Sequence, residues 1–122
     1  SRAAALELEK ASTILNQPDP VVQNRLAQAY IESQQPRKAL TALDGVDRLY
    51  PGMVNTYLNL GRAYCESGQL ARARKPLEQA LSINPFDPEI HARLALVYTD
   101  QGEDELAARA RGAMRLLGVK GY

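Results

Sequence analysis

The chain has 122 residues, 45% of them hydrophobic, which suits one domain with a core of its own. Lysines and arginines number 15 against 14 acidic residues, a formal net charge of +1, so no global field favours nucleic acid or an anionic membrane. A single cysteine, Cys65, excludes an internal disulfide, and no apolar run approaches the roughly 18 residues of a membrane span.

The first expected element is a helix within residues 1–19. Leu8, Ala11 and Ile14, with Leu15 beside them, form an apolar stripe that ends at Asn16-Gln17-Pro18. It reads as the second helix of a truncated upstream unit or, alternatively, as a dedicated cap. Because the chain opens at Ser1 inside a helical pattern, it also reads as a piece of a longer protein.

Residues 20–53 follow as a helical hairpin. Asp19-Pro20 places an N-capping carboxylate before a proline whose missing N–H and fixed φ cost nothing in the first turn. Gln34-Gln35-Pro36 turns the chain into a second helix that buries Ala39, Leu40 and Leu43.

Residues 54–87 repeat this plan. Tyr57, Leu60, Gly61 and Tyr64 recur at three- and four-residue steps and so share one helix face, with Gly61 small because the partner helix comes close there. Gly68 makes the turn, and Ala73, Leu77 and Ala80 face inward from the next helix. Pro76, inside that helix, cannot donate to the carbonyl of Arg72 and predicts a local kink.

Residues 88–122 form the third unit, capped by Asp87-Pro88 and turned at Gly102, with Ala107, Ala110 and Met114 buried. Arg111 and Arg115 stand where apolar contacts to a following unit belong, so this end reads as wettable. Gly112 weakens the last helix from within, and Gly118 and Gly121 end it.

These units are in phase at a spacing of 34 residues: Leu26, Leu60 and Leu94; Ala27, Gly61 and Ala95; Tyr30, Tyr64 and Tyr98; Ala39, Ala73 and Ala107. The middle copy reads Tyr57-x2-Leu60-Gly61-x2-Tyr64, then Ala73-x3-Leu77, Ala80 and Pro85, which resembles the tetratricopeptide repeat. The first copy departs at Gln23, and the third at His91, Arg111, Met114 and Val119. The resemblance implies an all-α, right-handed superhelical solenoid of antiparallel helix pairs. It further implies that the first helices line a concave groove for an extended peptide or a partner helix.

Function is then read from first-helix residues that the phase leaves outside the core. Arg25, Asn59 and Arg93 are in register at one repeat spacing, with Asn24, Gln28, Asn55 and Arg62 nearby; guanidinium forks and amides of this kind hold carboxylates and main chain. Leu58 and Leu96 are expected to receive an apolar side chain. Glu32, Glu66 and Asp100 form an acidic row expected to pair with neighbouring helices. The carboxylate clamp of chaperone-binding relatives is matched only at Asn59 and Arg93, since Asn24, Gln28 and Glu89 replace its other members.

The ligand expected is therefore a protein or peptide, an acidic one included. Alternatives are self-association through the N-terminal helix, or binding of RNA or an acidic surface by convex-side residues such as Arg37, Arg72, Arg74 and Arg109. Nucleic acid is disfavoured because no aromatic residues interleave with those charges. No cofactor, metal or catalytic constellation is expected: His91 fills the bulky slot of its repeat, and Cys65 reads as a small packing residue.

Overall fold

The computed structural model describes residues 19–118. The N-terminal helix read within residues 1–19, and the features at Val119 and Gly121, lie outside these apart from Asp19. The described residues form seven helices: α1 (Pro20–Glu32), α2 (Pro36–Ala42), α3 (Val46–Leu49), α4 (Val54–Glu66), α5 (Leu70–Ile83), α6 (Pro88–Asp100) and α7 (Asp104–Leu116). Helices α1, α4 and α6 each pack against the helix that follows them, and neighbouring hairpins meet through α2 with α4 and α5 with α6.

Capping follows the sequence closely. The Asp19 carboxylate accepts from the backbone N–H of Val21 at 2.8 Å, and Asp87 accepts from that of Glu89 at 2.9 Å, satisfying donors that a helix start leaves unpaired. At the other ends, the N–H groups of Gln35, Gln69 and Glu103 return to the carbonyls of Tyr30, Tyr64 and Tyr98 at 2.7, 2.7 and 2.8 Å. Three identical closing turns thus carry the three in-register tyrosines. Each turn needs one left-handed residue. Gly68 and Gly102 supply it with φ of 77° and 73°, whereas the first turn forces Gln34 to φ 63°.

Two apolar clusters result. One joins α1 and α2 with Ala63 of α4, and the other runs through α4, α5, α6 and α7. Ala39 and Ala73 are fully buried, and Ala107 nearly so, where each hairpin begins to close. A Cβ on Gly61 would lie 2.5 Å from Cγ of the buried Leu77, and nearer still to Cδ2, so no side chain fits at this approach of α4 and α5.

Three details go beyond the sequence pattern. The second helix of the first unit breaks after Ala42, because Gly45 turns left-handed at φ 77° before α3 resumes with the buried Val46. Helix α5 runs as one element through the buried Pro76. Leu60 is only half-buried and packs on the α1–α2 cluster, unlike its in-register partners Leu26 and Leu94, which are buried.

Candidate functional site: the first-helix face

Helix α4 touches α1 on one side and α6 on the other, so the three first helices lie side by side. The α1–α4 seam is made of neutral amides. Asn59 Nδ2 donates to Asn24 Oδ1 at 3.1 Å and to the Asn24 carbonyl at 3.3 Å, and Asn24 Nδ2 donates to Thr56 Oγ1 at 2.9 Å. Asn24, Thr56 and Asn59 are all buried, as polar groups can be once they satisfy one another.

The α4–α6 seam is ionic. Glu89 accepts from Arg62 Nε and Nη2 at 2.6 and 2.5 Å, and from Arg93 Nε at 2.9 Å. Arg62 Nη1 reaches back to Asn59 Oδ1 at 3.0 Å, which joins the two seams, and Arg93 Nη1 lies 3.6 Å from Glu66 Oε1. The hydrogen bonds from Arg62 pull the Glu89 carboxyl down to about 2; partial burial opposes this and Arg93 reinforces it. The acidic row expected from the sequence therefore divides: Glu66 pairs with Arg93, while Glu32 accepts from Gln28 Nε2 at 3.1 Å.

Between α1 and α4 lies an open cavity of about 260 Å³ lined by Val21, Asn24, Arg25, Gln28, Met53, Asn55, Asn59 and Arg62. Six of the nine site residues read from the sequence meet there: Asn24, Arg25, Gln28, Asn55, Asn59 and Arg62. Of the remaining three, Leu96 is exposed, Arg93 is held at the ionic seam, and Leu58 is buried in the α4–α7 cluster.

The expectation that Leu58, Asn24 and Asn59 stand free of the core is thus corrected. A first helix in an array packs against its own partner and also against the first helices beside it, so its buried arc is wider than one apolar stripe. Arg62 and Arg93 are likewise engaged rather than free. Among the described residues Arg25 makes no ion pair or side-chain hydrogen bond, and its side chain is exposed. The Asn24–Asn59 offset of 35 residues, one more than the repeat, was the available signal for the amide seam.

Other residues singled out in the sequence have structural partners. His91 is half-buried, with Nε2 2.7 Å from the Pro85 carbonyl oxygen. Cys65 is half-buried against the α4–α7 cluster, and burial pushes its thiol up, which disfavours the reactive thiolate. Arg74 lies over the Tyr98 ring, 5.1 Å from its centroid, and donates to Gln101 at 2.9 Å. Tyr98 donates to Glu78 at 2.6 Å, and burial together with that bond pushes its hydroxyl up to about 12. No helix among the described residues is long and apolar enough to cross a membrane.

Residues 30–97 match the tetratricopeptide repeat family, and the chain belongs to it. The chain is 29% identical over 96 residues to TPR repeat-containing protein YvcD of Bacillus subtilis (strain 168), covering 79% of this chain and 20% of that protein. With Type IV pilus assembly protein PilF of Pseudomonas aeruginosa it shares 38% identity over 53 residues, 43% of this chain and 21% of PilF. The matched stretch is thus about a fifth of the length of these curated relatives.

Among solved structures, MamA RS-1 ArsTM double mutant superposes with a TM-score of 0.86 at 20% identity, over 96% of this chain and 65% of that one. MamA MSR-1 C2 gives 0.79 at 23%, over 93% and 65%. At these identities the likeness defines the fold, a right-handed superhelical solenoid of antiparallel helix pairs. Membership of the tetratricopeptide repeat family makes this chain, in general terms, a protein-interaction module.

Proposed function

We propose that the concave face made by α1, α4 and α6 binds an extended peptide or partner helix, anchored at the cavity between α1 and α4. Arg25 supplies the cation for an acidic group of the ligand. Gln28 and Asn55, both exposed at the rim, offer amide groups to its main chain. Val21 and Leu96, 51% and 54% exposed, give apolar contacts at separate points along the face.

The observation that carries this reading is the convergence of six site residues on one cavity. Its walls are fixed before any ligand arrives, because Asn24 and Asn59 are locked together behind it. Little ordering cost therefore falls on the receptor.

The test is selection from a random-peptide display library on the immobilised chain, wild type against Arg25→Glu. Peptides enriched on the wild type should carry an acidic residue and lose binding about tenfold or more on the variant, as expected for a charge-assisted contact. Melting should be unchanged, since Arg25 ties no helices together among the described residues. Equal capture of the same peptides by both proteins would overturn the anchor.

A further inference from the structure

The ionic seam lies beside the cavity. A guanidinium fork is a receptor for a planar carboxylate through two parallel hydrogen bonds. Arg62 uses that fork, Nε and Nη2, on the two oxygens of Glu89, and Arg93 Nε adds a third bond to the same group. The remaining terminal nitrogen of Arg62 goes to Asn59 Oδ1. Arg62 is thus occupied by the protein's own carboxylate at the place where it lines the cavity.

The seam is nevertheless within reach of solvent. Side-chain exposures are 25% for Arg62, 23% for Arg93 and 34% for Glu89. Glu89 is also held in place from its own helix, since its backbone N–H donates to the capping Asp87 in the first turn of α6, where a negative side chain is favoured. Two arginines and two acids, Arg62, Arg93, Glu89 and Glu66, compensate one another in charge. Arg25 is left as the uncompensated cation at the cavity among the described residues.

Resting on the peptide-groove reading, we propose that Glu89 is the specificity-determining residue of this face. It fills the Arg62 fork and takes the Arg93 Nε–H as an internal carboxylate, so that the groove accepts one acidic group, at Arg25, and turns away a second at the ionic seam. The ligand class is then a peptide with an isolated acidic residue among neutral ones rather than an acidic run. Without Glu89, the same surface becomes a receptor for several carboxylates.

Citrate serves as the probe, titrated at constant ionic strength into the full 122-residue chain while the arginine Nε–H resonances are followed by NMR. In the wild type, the Arg62 and Arg93 signals should stay in place. In Glu89→Gln they should move in a saturable way, with affinity at least about tenfold above any wild-type response at those residues. That movement should vanish at Arg93 when Arg62→Gln is added to Glu89→Gln. Glu89→Ser, which suits the first turn of a helix, replaces Glu89→Gln if the latter does not fold.

Equal movement of Arg62 and Arg93 in wild type and variant would overturn the proposal, as would no movement in either. The groove reading is judged by a different signal, the dependence of peptide capture on Arg25. A groove that fails that test with the Glu89 response intact is therefore told apart from the reverse.

Discussion

At the α1–α4 seam, buried amides pass hydrogen bonds from Asn59 to Asn24 to Thr56; at the α4–α6 seam, half-exposed charges do the joining, with Glu89 between Arg62 and Arg93. The same 34-residue period produces both. Backbone spacing alone thus leaves the chemistry of each seam open. Neutral amides are insensitive to salt and pH and fix the relative placement of the helices. Ion pairs at a surface are adjustable by both, and they add less stability.

Asn59→Ala should break the contrast most strongly. It leaves Asn24 Oδ1 without the Asn59 donor in a buried place and frees one Arg62 nitrogen, at a cost of about 3 kcal/mol including the cavity. Urea unfolding at low and high salt should give the same loss. A salt-dependent loss would mean that Asn59 acts through Arg62 rather than through Asn24.

Next comes Gly61→Ala, whose new methyl group would run into Leu77. Overpacking of this kind, less the gain in helix propensity, should cost roughly 1–2 kcal/mol. Leu77 belongs to the cluster with α6 and α7, so the disturbance should spread toward the ionic seam rather than the amide one. Hydrogen exchange should accordingly quicken in α5 and α6 before α1.

Glu89→Gln sharpens the ionic side. The folded carboxyl titrates near 2 against an ordinary value of 4.5, so its stabilisation is complete above the ordinary value and fades as pH falls through that window. Screening at a group this exposed reduces the effect to about 1 kcal/mol at neutral pH. Wild type and variant should converge below pH 2 and draw together in 1 M salt. A difference that persists under both conditions would place the effect outside charge.

How much of this was legible varies with the kind of contact. Caps at Asp19 and Asp87, turns at Gly68 and Gly102, and the glycine forced by Leu77 depend on local geometry, which residue type and spacing report directly. The groove phase was harder. Leu58 and Asn59 look exposed when α4 is judged against α5 alone, yet Leu58 is buried in the cluster that also holds α6 and α7, and Asn59 is buried with a hydrogen bond to Asn24, 35 residues away in sequence. Burial of Asn24 and Asn59 was hidden because an amide reads as a surface residue until its partner is known. The Arg62–Glu89 pair crosses repeats out of register, so comparison of equivalent positions does not bring it out. The break after Ala42 needed only one signal, Asp44-Gly45, which the strength of the repeat masked.

The smallest effect tests whether the seams are independent of the hairpins that carry them. Gln34 holds the left-handed position that glycine fills at 68 and 102. A side chain in that conformation costs about 1–2 kcal/mol, which glycine avoids while paying more unfolded-chain entropy. Gln34→Gly should therefore stabilise the chain by about 0.5–1 kcal/mol. Its turn joins α1 to α2 and touches neither seam, so the gain should add to the losses from Asn59→Ala and from Glu89→Gln with little coupling. Additivity with Glu89→Gln but not with Asn59→Ala would show that the amide seam depends on how the first hairpin closes, making α1, α2 and α4 one cooperative unit set apart from the ionic half.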